Sequence, residues 1–151
     1  MPVIAVDTPV GRLGITERSG AIIRVSWRTP ETGRPTALLN EAARQIAAYF
    51  AGELREFDLP LDPAGDSQEQ RVFAAMRAIP YGETRTYGEI AKQLGIRPDE
   101  VGQGCGANPI PVIIPCHRVL AAGGLGGYSG GDGVETKIAL LKLEGGYPLL
   151  L

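Results

Sequence analysis

Short apolar segments open the chain at a spacing that predicts strands. Val3-Ile4-Ala5-Val6, Thr8-Pro9-Val10-Gly11 and Gly14-Ile15-Thr16 are followed, after Ser19-Gly20, by Ala21-Ile22-Ile23-Arg24-Val25-Ser26-Trp27. Runs of this length punctuated by glycine and proline read as a small antiparallel sheet joined by hairpins. The period then changes. Leu39, Ala42, Ala43, Ile46, Ala47 and Phe50 recur at helical intervals, which predicts a helix from Asn40 to Gly52, with Asn40 as N-cap and Gly52 as stop. Such a helix is expected to cover the sheet.

The Pro/Gly/Asp-rich stretch Leu59 to Ser67 breaks the periodicity and predicts a domain boundary, with residues 1–62 before it and 63–151 after it. Beyond it, Val72, Phe73, Met76 and Ile79 mark a helix ended by Pro80-Tyr81-Gly82. Thr86 is placed to cap a helix from Tyr87 to Leu94 that stops at Gly95, and a third short helix is expected around Asp99 to Gly106. Two short helices joined by a Gly/Pro turn are compatible with a helix-turn-helix. The apolar run Ile110-Pro111-Val112-Ile113-Ile114 reads as a buried strand. Gly123 to Gly133 is dense in glycine, either a flexible linker or a loop whose backbone approaches a flat ligand. From Val134 to Glu144 the stripe Val134, Ile138, Leu141 predicts a last helix. Glu144 falls at its C-terminal end, where the macrodipole disfavours a carboxylate, so it is either solvated or held by a partner. The expected class is α+β: a small antiparallel sheet with a helix, then a helix-turn-helix-like domain.

The 151 residues hold enough apolar side chains, 44%, for one core or two small ones, which excludes a disordered chain. No run approaches a membrane span, and Met1 to Thr16 lacks the basic start and apolar middle of a signal peptide, so the expected location is cytoplasmic, with no membrane partner. A net charge of −2 argues against general affinity for polyanions. That acidity belongs to Met1 to Ser67, while Gln68 to Leu151 is neutral, so any nucleic-acid surface is expected in the second part. With two cysteines, one histidine and no Cys-x-x-Cys pair, no metal site is expected and both thiols are expected to be free.

The only histidine follows a cysteine in Pro115-Cys116-His117-Arg118. A free thiol is only a few per cent thiolate near neutral pH and needs a base or a positive field to become a nucleophile. The adjacency concentrates whatever thiol chemistry the chain has, although a lone cysteine after a buried strand is usually a small core residue.

Ile79-Pro80-Tyr81-Gly82-Glu83-Thr84 with Thr86-Tyr87-Gly88-Glu89-Ile90-Ala91, then Gly106-Ala107-Asn108-Pro109 to Pro115-Cys116-His117-Arg118-Val119, then Gly127-Tyr128-Ser129-Gly130-Gly131, and finally Lys137 to Glu144-Gly145 occur in an order and at separations that resemble the O6-alkylguanine-DNA alkyltransferase family. The resemblance covers nearly all of Pro60 to Gly145. It implies a ribonuclease H-like N-terminal domain followed by a winged helix-turn-helix-like active-site domain. It also implies a monomer without a cofactor that takes an alkyl group from O6-alkylguanine in double-stranded DNA, with O4-alkylthymine a further possible substrate.

By that resemblance Cys116 is the acceptor, His117 deprotonates it through a water, and Glu144 orients His117. Asn108 braces the turn carrying the cysteine; an ordinary turn residue before Pro109 is the alternative. Tyr87 protonates the departing guanine, or is a core aromatic. Ser129 offers a backbone N–H to O6, the carbonyls of Cys116 and Val119 read the exocyclic amine, and Tyr128 with Gly130 and the flanking glycines forms the pocket wall. The target base is rotated out of the duplex. The second helix enters the minor groove through Gly102, Gly104, Cys105, Gly106 and Ala107. The net charge of −2 separately predicts weak, strongly salt-sensitive duplex binding, carried mainly by Arg85, Lys92, Arg97 and Arg118.

The chain departs from the family where an arginine normally fills the gap left by the flipped base. Asp99 occupies the nearest place within a shortened Ile96 to Glu100 turn, and Arg97 is the candidate substitute. Gln68 and Glu69 also replace an aromatic and a glutamine usual near the start of that domain. Two rival functions are an alkylated-base-recognising DNA-binding protein without turnover and a thiol hydrolase using Cys116, His117 and Glu144.

Overall fold

A computed structural model describes residues 1–146. Contacts divide the chain into two units, Met1–Ala64 with Pro109–Ile113, and Gly65–Asn108 with the chain from Ile114 onward. The division falls after residue 64 where the sequence suggested 62, and the expected continuous stretch 63–151 is interrupted, because 109–113 belongs to the first unit. Residues 147–151 of that stretch lie outside the described residues.

In the first unit β1 (Val3–Thr8), β2 (Gly11–Arg18) and β3 (Ala21–Ser26) form an antiparallel meander in the order β1-β2-β3. Thr8-Pro9-Val10-Gly11, expected as a strand, is the first hairpin turn, closed by the Thr8 hydroxyl on the Gly11 carbonyl at 2.6 Å. Leu13, Ile15, Ile22 and Val25 are buried together with Leu39, Ala42, Ile46 and Tyr49 of α1 (Ala37–Phe50). The α1 cap is Thr36, whose Oγ1 accepts from Leu39 N at 3.1 Å. Asn40, expected to cap it, is an exposed residue of the first turn. Thr36 wins because its φ of −87° and ψ of 167° set the extended geometry that aims a short side-chain oxygen at the free N–H groups.

Gln45 is buried, and its amide clamps the backbone of Asp58 from both sides, Nε2 to the carbonyl at 3.1 Å and Asp58 N to Oε1 at 2.9 Å. The apolar run 110–114 is buried but is not a strand. Val112 takes a φ of +72°, an uncommon geometry for a β-branched residue that costs on the order of 1–3 kcal/mol and is held by the burial around it.

In the second unit α2 (Ser67–Arg77) and α3 (Tyr87–Leu94) each start with a capping box, Asp66 with Glu69 and Thr86 with Glu89. α3 stops at Gly95, whose φ of +70° glycine adopts without strain. α4 (Pro98–Ala107) begins with proline at its first position and Glu100 accepting from Arg97 N at 2.9 Å. α2 and α4 meet at Gly104, where a Cβ would lie 2.8 Å from the Val72 side chain, so only glycine lets the helices approach this closely. Two residues of β4 (Arg85–Thr86) pair in parallel with β5 (Val119–Leu120), which follows a single 3-10 turn, Cys116–Arg118. Tyr87 leaves β4 as that turn enters β5, so this short pairing brings Tyr87 and Cys116 to one place. α5 (Val134–Leu143) buries Thr136, Lys137, Leu140 and Leu141, whereas Val134, expected on the inner stripe, is 41% exposed.

Candidate active site

Asn108 and Ile114 flank the 109–113 segment, and Asn108 Nδ2 donates to the Ile114 carbonyl at 2.9 Å, tying its two ends together. Cys116 N and Arg118 N then donate to Ile114 O at 2.8 Å and Pro115 O at 3.0 Å, which fixes the 3-10 turn. One such turn separates successive side chains by roughly 120°. The three side chains therefore leave the turn in different directions, Cys116 toward the cavity and His117 and Arg118 to Glu144.

His117 is fully buried, and its Nε2 lies 2.8 Å from Glu144 Oε2. Arg118 grips the same carboxylate with Nε on Oε1 at 2.8 Å and Nη2 on Oε2 at 2.9 Å, while Nη1 donates to Ile79 O at 2.7 Å. Its guanidinium stands 5.8 Å from the Tyr81 ring centroid. Glu144 is thus held by partners and not by solvent. A carboxylate accepts only, so Nε2 carries the imidazole proton and Nδ1 is left with the lone pair. That Nδ1 is buried and receives no hydrogen bond from the described residues. Burial, the largest influence, holds His117 below its ordinary pKa against the opposing pull of Glu144, so the resting imidazole is neutral.

Tyr87, Gly102, Cys105, Gly106, Cys116, Gly127, Tyr128 and Ser129 line a cavity of about 340 Å³. Burial pushes the Cys116 thiol above its ordinary range, and hydrogen bonds from Asn108 and Tyr128 with the charge of Lys137 pull it partly back. Cys116 therefore rests as a thiol that needs a base. Tyr87 is pushed up to about 12, first by burial and then by the two cysteines, and stays a phenol that can donate.

Lys137 is the functional residue that the sequence reading missed. It is fully buried, its Nζ donates to Val119 O at 2.6 Å and to Gly127 O at 3.1 Å, and it lies 5.9 Å from the Tyr87 ring centroid. Burial lowers its pKa. It pins the glycine-rich loop, which also closes on Tyr87: at Gly126, with φ +72°, a Cβ would meet the Tyr87 ring at 3.0 Å. The loop is packed and not a bare linker. The available signal was an apolar stripe with charged ends, since Lys137, Leu140, Leu141 and Glu144 fall at i, i+3, i+4 and i+7.

The structure brings together Cys116, His117, Glu144, Tyr87, Asn108, Tyr128 and Ser129. Gly130 does not line the cavity, and neither does Val119, whose carbonyl accepts from Lys137. Arg118, expected on the DNA surface, is 7% exposed and belongs to the Glu144 network, because a buried carboxylate requires a cation beside it. Gly104, expected in the groove, packs on Val72, while Gly102, Cys105 and Gly106 face the cavity. Lys92 is exposed. Arg85 pairs with Glu83 at 3.2 Å, and Arg97 is exposed and paired with Asp99 at 3.0 Å. Among the described residues, no group of three or more His, Cys, Asp or Glu side chains is placed to hold a metal ion, and no helix is long and apolar enough to cross a membrane.

Residues 67–146 match the family model described as the DNA binding domain of 6-O-methylguanine DNA methyltransferase, and residues 4–63 match that of its ribonuclease-like domain. A methylated-DNA--protein-cysteine methyltransferase of Mycolicibacterium paratuberculosis is 44% identical over 150 residues, which cover 92% of this chain and 89% of that one. The crystal structure of Mycobacterium tuberculosis O6-methylguanine methyltransferase aligns at a TM-score of 0.85 with 42% identity, covering 97% of this chain and 94% of the other. The structure of Mycobacterium tuberculosis OGT in complex with DNA aligns at 0.81 with 44% identity, covering 93% and 91%.

Proposed function

Because the chain belongs to the 6-O-methylguanine DNA methyltransferase family, we propose that it repairs DNA by moving an alkyl group from guanine O6 onto Cys116, once per molecule. The observation that carries this assignment is the thiol at the wall of the 340 Å³ cavity, followed in the chain by a buried His117 joined to Glu144 at 2.8 Å.

His117 Nδ1 takes the thiol proton through a water, and the imidazolium that forms is stabilised by Glu144. The sulfur attacks the alkyl carbon, the S–C bond forms as the C–O6 bond breaks, and the electron pair passes to the purine. Tyr87 donates a proton near guanine N3, so the base leaves neutral. Asn108, Tyr128 and Lys137 hold the sulfur and the loop around it. The product is a thioether, which no group in the site can cleave, so each molecule acts once.

The substrate is a damaged base in duplex DNA, turned out of the stack to reach the cavity at a cost of a few kcal/mol. The bare edge of α4 at Gly102 and Gly106, where a Cβ would meet nothing within 4 Å, suits a close approach to the groove. Arg97 is the proposed substitute for the absent arginine, released from Asp99 when DNA binds. The same reading takes the protein as a cytoplasmic monomer without a cofactor.

The test is Cys116→Ser with a duplex containing O6-methylguanine. Methyl transfer is expected to vanish while lesion binding persists, because a serine alkoxide is far harder to form than a thiolate. Transfer retained by the variant overturns the assignment, and wild-type protein that binds the lesion without taking up methyl points to a recognition protein without turnover.

A further inference from the structure

Cys105 has no part in the transfer chemistry, yet it is not sealed in the core. It sits half-buried on α4 with its Sγ 3.5 Å from Met76 Sδ, and it lines the same cavity as Cys116. Burial first, and then the charge of Cys116, disfavours ionisation of Cys105. A second thiol in the wall of the cavity that the alkyl group enters is placed to react with that group after transfer.

We propose that Cys105 is a capture thiol: when the group on O6 carries a leaving group on its second carbon, as in a 2-chloroethyl lesion, Cys105 closes an ethylene thioether bridge to Cys116. The inference rests on Cys116 being the alkyl acceptor. Transfer first gives Cys116–S–CH2CH2–Cl and leaves an unmodified guanine in the DNA strand. The Cys116 sulfur lone pair then displaces chloride to form a three-membered sulfonium ring, and the Cys105 sulfur attacks one ring carbon, breaking that carbon's bond to Cys116. The Cys105 proton leaves with chloride to solvent, so the net change is the loss of HCl and no oxidant or reductant is needed.

Cys105, raised to about 12 chiefly by burial, attacks as a thiol and loses its proton afterwards. Sulfur is still the strongest nucleophile in the wall, because the competing groups there are the hydroxyls of Tyr87, Tyr128 and Ser129. A group held against the electrophile also acts at an effective concentration above that of bulk water. An ethylene link is two carbons longer than a disulfide, so the sulfurs need not touch. The bridge would consume a reactive adduct that could otherwise bind the DNA just repaired.

The experiment incubates the full chain with a freshly chloroethylated duplex bearing O6-(2-chloroethyl)guanine and, in parallel, with a duplex bearing O6-methylguanine. Intact mass and peptide mapping then read the products. The methyl duplex should leave one methyl on Cys116 and Cys105 free. The chloroethyl duplex should give mainly protein heavier by one ethylene less two hydrogens, with the Cys105 and Cys116 peptides linked, at least about tenfold over the hydroxyethyl adduct. In Cys105→Ala and Cys105→Ser the molecules that reacted should carry hydroxyethyl on Cys116 or be joined to DNA. Because the readout is the partition among reacted molecules, slower transfer does not affect it. Wild-type protein that ends mainly as the hydroxyethyl or DNA-linked form, with Cys105 free, overturns the proposal. Failure to methylate Cys116 instead overturns the parent assignment.

Discussion

The two units bury similar apolar cores but very different polar groups. Among the described residues, the first unit buries only Thr16 and Gln45, both neutral, whereas the second buries His117, Arg118, Lys137 and Glu144 as well as Thr136. Gln45 supports a backbone segment and costs little, because each of its amide atoms exchanges a water for a protein partner. Buried ionisable groups are expensive even when paired, and apolar replacements often match or exceed them in stability. A unit that retains four of them around one thiol is organised for chemistry. The contrast separates polar burial that builds a fold from polar burial that builds a site, and substitution can test it on either side.

The largest effect is expected at Glu144. Glu144→Gln leaves Arg118 buried without its counter-charge and should cost about 3–5 kcal/mol in stability, read by denaturant titration, and it should also slow methyl transfer without abolishing it. A variant as stable and as fast as wild type would remove Glu144 from both roles. Tyr87→Phe should slow the chemical step about 100-fold, as expected for a lost general acid, with little change in thermal stability. Equal rates would reduce Tyr87 to a packing residue. In the first unit Gln45→Ala should cost about 1–3 kcal/mol through the orphaned Asp58 backbone, with single-turnover transfer unchanged. Slowed transfer in that variant would blur the contrast.

The pH dependence should come from the second unit. His117 has a folded pKa below its unfolded value, so the unfolded chain binds more protons as pH falls; stability is full above roughly pH 6.5 and declines below it. Cys116, Cys105 and Tyr87 have folded pKa values above their unfolded ones, so stability is full below roughly pH 8.5 and declines as pH rises beyond it. Melts across pH 5 to 10 should therefore peak between these limits. An unchanged acid limb in His117→Gln would assign it elsewhere. The smallest effect on stability is expected for Arg97→Ala, a denaturation midpoint that stays at the wild-type value, because the pair with Asp99 is exposed and screened by solvent. The same variant should slow repair of duplex DNA more than reaction with free O6-benzylguanine, and equal slowing would dismiss Arg97 as the residue that holds the flipped state.

Local signals made part of this molecule legible from sequence. α3 is bounded correctly because Thr86, Glu89 and Gly95 mark the two ends of an eight-residue helix. α1 was started late because Asn40 is a good capping residue in isolation, and only φ and ψ at Thr36 decide between them. The 110–114 run was misread as a strand because an unbroken apolar run reports burial without reporting the turn at Val112. Arg118 looked like a DNA contact because its partner Glu144 lies 26 residues away. Lys137 was passed over for a similar reason: its acceptors, Val119 and Gly127, are distant carbonyls that leave no mark in the pattern of side chains.

The central claim is that the buried charges of the second unit serve one sulfur. Intact-mass analysis after incubation with excess O6-methylguanine duplex tests it most directly. The account predicts a gain of one methyl group per molecule, located on Cys116, with no further gain as lesion is added. Methyl on Cys105 instead, more than one methyl per chain, or demethylated DNA with unmodified protein would contradict it.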